Sequence, residues 1–231
     1  MSVDGVKQKV LITGASGCLG IHLIRFLLDK GFSVRALVRK SSKIEAIKDL
    51  DVEIFYGDLK EKETFIDAVE GVDTVVHAAA AVRGTWQEYL ESTVKGTENL
   101  LQACRNNNIK KFIYISSIGV SDFFASLSDG KEINEETPYL TAHLTSYVRS
   151  KIEAEKVVLR YYEDYKFPVV IIRPGPIYGP GFKLYPPRLG YPLGAKRILV
   201  AGEGKNTMPY VYVDNLSQAI FLTLQNGKAA G

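Results

Sequence analysis

The stretch "TGASGCLGIHL", Thr13 to Leu23, decides the reading of this chain. Three glycines stand in fixed rhythm between an apolar run, "KVLIT", and a segment with helical apolar spacing. Each has a physical task. Gly14 turns the chain off a strand, Gly17 lets backbone come close to a phosphate, and Gly20 lets the new helix pack tightly. A helix amino end carries unpaired N–H groups and a partial positive charge, so bare backbone here forms an anion-binding surface. The strand–turn–helix context makes a dinucleotide site the expectation, with Cys18 and Leu19 beside the glycines. Cys18 at the helix start is read as a small residue facing the loop rather than as an activated thiol.

Outward from that stretch, strand-like and helix-period segments alternate. "SVRALV", a short charged helix and "VEIFYG" follow, then "TFIDAVEG", "TVVHAAA", the amphipathic "QEYLESTVKGTENLLQACRNN", "KFIYISS", "YVRSKIEAEKVVLRYY" and "PVVIIRPG". This order predicts an α/β fold, a doubly wound parallel sheet with ligands beyond the strands' carboxyl ends. From Pro174 the texture becomes rich in Gly, Pro and Tyr. The expected organisation is a dinucleotide-binding unit over 1–173 and a partial substrate lobe over 174–231, interleaved with the last sheet elements.

Composition narrows the function classes. The 231 residues are 46% hydrophobic and 24% charged, with a formal charge of +3 and no dense basic run, so a nucleic-acid partner is not expected. Two cysteines, Cys18 and Cys104, cannot make a disulfide scaffold, and neither a signal-peptide core nor a membrane-span run appears. The expectation is a soluble cytoplasmic protein. His22, His77 and His143 lack ligand spacing, so no metal site is expected. Trp86 is expected to bury against the helix that follows it.

An NAD site usually carries an acidic residue about 20 residues past the glycines, to hold the ribose hydroxyls. In "FSVRALVRKSSK" none appears; Arg39 and Lys40 stand there instead. Cations at that point suit a 2′-phosphate, so NADP(H) is favoured and NAD(H) is the alternative.

"SYVRSK" sets Tyr147 and Lys151 four apart, hence on one helix face. A phenol is too weak a base at neutral pH, but an adjacent ammonium favours its anion. Tyr147 then exchanges a proton with a carbonyl or alcohol oxygen, and a serine at the end of "KFIYISS" holds that oxygen. Either serine could equally cap a turn.

With these motifs in order, the sequence resembles the extended short-chain dehydrogenase/reductases, the NAD-dependent epimerase/dehydratase superfamily. The likeness rests on "TGASGCLG", "GDL", "HAAA", "VKGTENLLQAC", "ISS", "YVRSK", "RPGPIYGPG" and "VYVDNLSQAI". It implies that Asp58 and Leu59 border the adenine and that His77, Ala78 and Ala79 line the cofactor near its ribose. It further implies that Ser117 is the catalytic serine and Tyr147 the acid/base, that Lys151 also binds the nicotinamide ribose, and that Pro174 to Ile177 flank the nicotinamide. Read without the family, Asp58 could cap a helix starting near Lys60.

The chain departs from the family pattern at Thr93, at "VSD" after the serines, and at Met208, where nucleotide-sugar enzymes often have arginine. Met208 cannot grip a diphosphate, which points to a less polar ketone or alcohol, as in the hydroxysteroid and dihydroflavonol reductase branches. "FFASLS" and "PGFKLYPPRLGYP" offer apolar surface for it. The sequence stops where related chains continue, so a truncated or a short lobe is expected. The resemblance also implies homodimer pairing through the helices around Thr97 and Glu153. The leading reading is an oxidoreductase acting on a small molecule; the alternatives are a nucleotide-sugar epimerase/dehydratase with retained cofactor and a non-catalytic redox sensor.

Overall fold

The computed structural model describes residues 7–123, 132–182, 191–192, 197–199 and 208–226. Strands β1 (Lys9–Thr13), β2 (Ser33–Val38), β3 (Val52–Tyr56), β4 (Thr74–His77), β5 (Lys111–Ile115) and β6 (Val169–Ile172) form one sheet. Their order is β3-β2-β1-β4-β5-β6, and every pairing is parallel. The direction of strand order reverses at β1, so the crevice beyond the ends of β1 and β4 is where a ligand fits. This is the expected doubly wound Rossmann sheet.

Residue parity distributes the strand side chains between two cores. On one face Leu11, Val75 and Phe112 pack with Leu100, Leu101, Ala154 and Val158. Those last four come from α3 (Gly96–Asn106) and α4 (Ser146–Tyr165). On the other face Val10, Ile12, Val76 and Ile113 meet α1 (Cys18–Asp29) and α5 (Val213–Gln225), through Leu23, Leu27, Leu216 and Ile220. Phe221 of α5 also stacks edge-on against Phe26 and Phe32, so the end of the described chain completes the first helix's layer.

The expected short charged helix after β2 does not form. Residues 40–50 make turns, in which Ile47 is buried and Ser42 accepts a hydrogen bond from the Arg39 N–H at 3.2 Å. One buried anchor there gives a helix too little apolar face to rest on. "TFIDAVEG" likewise settles as 3-10 turns, within 62–69.

The long stretch before α3 is helical, beginning with α2 (Trp86–Tyr89), which has a capping box between Thr85 and Glu88. A π segment at Leu90–Lys95 joins it to α3. Trp86 is half-buried, with the Arg149 guanidinium over its ring, 3.9 Å from the centroid. In the second segment β7 (Ile177–Tyr178) pairs in parallel with β10 (Val211–Tyr212), and β8 (Tyr191–Pro192) pairs antiparallel with β9 (Ile198–Leu199).

Candidate active site

Backbone builds the first half of the site. Gly14 adopts a φ of +69°, a left-handed conformation that a side chain resists, and a Cβ there would sit 2.8 Å from the Ala78 and Ala79 backbone. At Gly20 a Cβ would stand 2.4 Å from the Gly14 carbonyl oxygen, so the helix packs on the turn itself. Gly17 is the N-cap of α1 and supplies no side-chain cap. The first-turn N–H groups therefore border the space beyond β1 without a side-chain acceptor.

That space is a cavity of about 1080 Å³, and it extends along the carboxyl ends of the strands. Gly14, Gly17, Cys18, Leu19 and Gly20 line one part of it; Arg39, Asp58 and Leu59 line another. Ala78, Ala79, Ser117, Tyr147, Lys151, Pro174 and Ile177 line the remainder. One wall thus joins the glycine turn to the Tyr–Lys pair, which are more than a hundred residues apart in sequence.

Among the expected residues, His77 stands apart. Its side chain is fully buried behind the wall, not on it. Nδ1 lies 2.6 Å from the Thr13 hydroxyl and Nε2 lies 2.9 Å from that of Thr97. Thr97 gives its own proton to the Thr93 carbonyl, which assigns Nε2 as the donor and Nδ1 as the acceptor. Burial, with a smaller push from Lys151, lowers the His77 pKa to about 3, so the ring is neutral. The reason for its place is parity: two residues beyond Val75, it points to the α3 face.

Ser117 does cap a turn, accepting from the Gly119 N–H at 3.2 Å. Its hydroxyl still has a proton to give toward the cavity. The neighbouring Ser116 hydroxyl is buried in the same wall with no hydrogen-bond partner. Asp58 accepts from the Lys60 N–H at 3.0 Å, the local capping role that its sequence also allowed. Cys18 donates its thiol to the Gly181 carbonyl at 3.0 Å, as a packing residue does. Thr93 uses its hydroxyl to accept from the Ala81 N–H, so this departure from the family pattern is accommodated.

Lys151 is 3% exposed, and its Nζ donates to the Ile115 carbonyl at 2.7 Å beneath the Tyr114 ring. Burial lowers its pKa to about 8, against the opposing pull of Glu155. Below that pH it holds its charge next to the helical turn that carries Tyr147.

Sequence reasoning missed Glu155, Arg173 and Tyr139. Glu155 is wholly buried and bound by the Arg173 guanidinium, with Nη2 to Oε2 at 2.7 Å, and it accepts from the Tyr139 hydroxyl at 2.8 Å. The available signal was a carboxylate on the buried stripe of α4, four residues beyond Lys151. "FFASLS" beyond Phe123, most of "PGFKLYPPRLGYP" and the loop before Met208 lie outside the described residues.

The cavity suits a dinucleotide: it offers side-chain-free backbone where a Cβ would collide, uncapped helix amides, and an orphaned buried hydroxyl in the same wall. Fold and site together define a Rossmann chain of the dinucleotide-binding kind. The chain belongs to the NAD dependent epimerase/dehydratase family, whose model matches residues 10–231.

It is 33% identical to 2-alkyl-3-oxoalkanoate reductase of Stenotrophomonas maltophilia, over 94% of this chain and 66% of that protein. It is 32% identical to the decarboxylating sterol-4-alpha-carboxylate 3-dehydrogenase of Candida albicans, over 94% and 65%. A third relative is dTDP-D-glucose 4,6-dehydratase of Dictyostelium discoideum, at 31% identity over 96% and 56%. The chain thus spans between 56% and 66% of the length of these relatives. Among solved structures, Thermus thermophilus UDP-glucose 4-epimerase complexed with NAD superposes with a TM-score of 0.76 at 25% identity, over 95% of this chain and 75% of that one.

Proposed function

We propose that this chain is the catalytic part of an oxidoreductase that moves hydride between NADP(H) and a carbonyl or secondary alcohol of a small, weakly polar molecule. The observation that carries the reading is the single wall shared by the glycine turn, Ser117, Tyr147 and Lys151. A bound nicotinamide dinucleotide supplies the hydride or accepts it. Gly14, Gly17 and the first turn of α1 would hold its phosphates, and Arg39 with Ser42 and Lys60 would face a 2′-phosphate. Lys151 would take the nicotinamide ribose.

The chain's own residues then manage the proton. Lys151 keeps a positive charge below about pH 8 and lowers the energy of the Tyr147 phenolate. The Tyr147 hydroxyl gives its proton to a reduced carbonyl oxygen, or its phenolate takes the proton of an alcohol. Ser117 donates to the same oxygen and holds it near the phenol.

Two observations support a ketone or alcohol over a nucleotide sugar. Met208 offers no cation for a diphosphate. Eliminating water would also need further acid–base groups, yet the carboxylates lining the cavity among the described residues are Asp58, Glu88 and Glu91. Glu88 is engaged by Thr85, and Glu91 by Lys95 and Gln87. The names of the bacterial reductase and the yeast sterol dehydrogenase point the same way. An epimerase/dehydratase is the second reading, favoured by the dehydratase relative; it calls for nicotinamide that co-purifies with the protein without net turnover.

The test is a screen of 3-oxo acids, steroids and other ketones against NADPH, read by the absorbance of reduced nicotinamide. Turnover is expected, and Tyr147→Phe should lower kcat roughly 10²–10⁴-fold while cofactor binding persists. A Tyr147→Phe protein as fast as wild type would overturn the assignment.

A further inference from the structure

Glu155 is wholly buried behind the cavity wall, where α4, the residue after β6 and the segment carrying Tyr139 meet. It lies one turn beyond Lys151 on α4, as Lys151 lies one turn beyond Tyr147. Its carboxylate receives three contacts of 2.7–3.2 Å from Arg173, the residue that leads into Pro174 and the cavity wall. It also accepts from Tyr139, whose ring lies 5.3 Å from the same guanidinium. Tyr139 bridges to Ser121, and the Leu140 N–H donates to the Val120 carbonyl, so this segment braces the turn capped by Ser117. The Ile118 N–H closes the circle by donating to the Pro174 carbonyl at 2.9 Å.

We propose that Glu155, clamped by Arg173 and Tyr139, is a positioning residue that registers α4 against the Ser117 turn and the Pro174 wall and keeps the Lys151 charge in place. The proposal rests on the oxidoreductase reading. A buried ion pair is weak evidence for stability, because apolar residues of similar volume often serve the fold as well. What distinguishes this pair is its location.

The groups around it fix the expected sign. Lys151 is faced by Glu155 and Tyr147 on α4, by Tyr114 on β5 and by neutral His77 on β4. Arg173 from the end of β6 and Tyr139 face Glu155. Tyr114 is held neutral by burial. Glu155 is therefore the one negative group acting on Lys151 among these, and its removal makes the ammonium harder to keep.

The experiment follows the side-chain resonance of Lys151 through a pH titration by NMR of isotope-labelled lysine, assigned by its loss in Lys151→Met. In Glu155→Gln the midpoint should fall by about one pH unit or more. The alkaline limb of the pH–rate profile for ketone reduction should fall with it. Should Glu155→Gln fail to fold, the double variant Glu155→Leu with Arg173→Met replaces the pair by apolar residues, and its midpoint should fall in the same direction, by less because the Arg173 charge leaves with it.

An unmoved midpoint in a folded variant overturns the proposal. So does a uniform drop in kcat at every pH with an unmoved limb, the mark of a merely structural role. A shifted midpoint in a protein whose wild type turns over no ketone would instead defeat the oxidoreductase reading and leave the positioning of Lys151 standing.

Discussion

The two halves of the cavity are made from different materials. Around Gly14 and Gly20 the wall is backbone, and what matters is that side chains are missing: a Cβ at either position would collide with main-chain atoms within 2.9 Å. Around Lys151 the wall is backed by a dense set of titratable side chains: Lys151 lines it almost wholly buried, and Glu155 and His77 are buried behind it. The first half offers a ligand shape and amide dipoles, which do not titrate. The second half, which the proposed function makes the reactive one, carries buried charge, and buried charge makes stability depend on pH. The halves meet at His77, which ties Thr13 beside the glycine turn to Thr97 on α3.

That contrast can be strained first at His77, where the expected effect is largest. Its pKa falls from 6.5 to about 3 on folding, so the unfolded chain binds a proton that the folded one refuses. The contribution of His77 is present above pH 6.5 and is lost as pH falls toward 3, by up to about 5 kcal/mol. Denaturant midpoints for wild type and His77→Gln should therefore converge as the pH is lowered through that window. A constant gap would show that the ring's neutrality contributes nothing.

Lys151 gives the opposite case, in which the role proposed for its charge opposes stability. Its pKa falls from 10.5 to about 8, so its neutral form is the one the fold prefers. The associated stability is present above pH 10.5 and is lost as pH falls to 8. Lys151→Met should thus be inactive yet more stable than wild type at pH 7, by up to about 3 kcal/mol less the loss of the Ile115 hydrogen bond. The advantage should fade as the pH rises to 10.5. Equal melting temperatures at pH 7 and pH 10 would refute it.

In the backbone half a single methyl group should do comparable harm by steric means alone. Gly20→Ala places a carbon 2.4 Å from the Gly14 carbonyl oxygen and 2.7 Å from Ala15 Cα, neither of which can rotate away. Overpacking of this kind costs about 1–3 kcal/mol. The loss should be independent of pH between 5 and 9, unlike that of the other two variants, and dinucleotide affinity should fall with it. A pH-dependent loss would mean that the halves are not separable.

What the sequence revealed follows from the same division. The glycine turn and the Tyr147–Lys151 spacing are local patterns between elements of clear period, so their place in the fold was legible. The side that His77 takes was not legible because "HAAA" marks a strand end without saying which face each residue takes; counting by two from Val75 assigns it to the α3 side. Glu155 was invisible because its meaning depends on Arg173 and Tyr139, 18 and 16 residues away and on other elements. The turns at 40–50 were read as helix because charged residues at helical spacing mimic a solvated face, whereas only Ile47 there is buried.

The smallest expected effect concerns Arg39, at the edge of the backbone half. It is exposed, it lines the cavity beside Ser42 and Lys60, and no carboxylate follows it at the end of β2. A charge-assisted contact to a phosphate is worth about 1.5–3 kcal/mol, and solvent exposure places this one at the low end. Arg39→Ala should therefore reduce the preference for NADP(H) over NAD(H) about tenfold, with NAD(H) affinity nearly unchanged. Because the charge is exposed, the wild-type preference should also shrink as salt is raised, whereas binding through the uncharged amides of the glycine turn should respond less. A preference indifferent both to Arg39→Ala and to salt would move the 2′-phosphate, or its absence, elsewhere in the cavity.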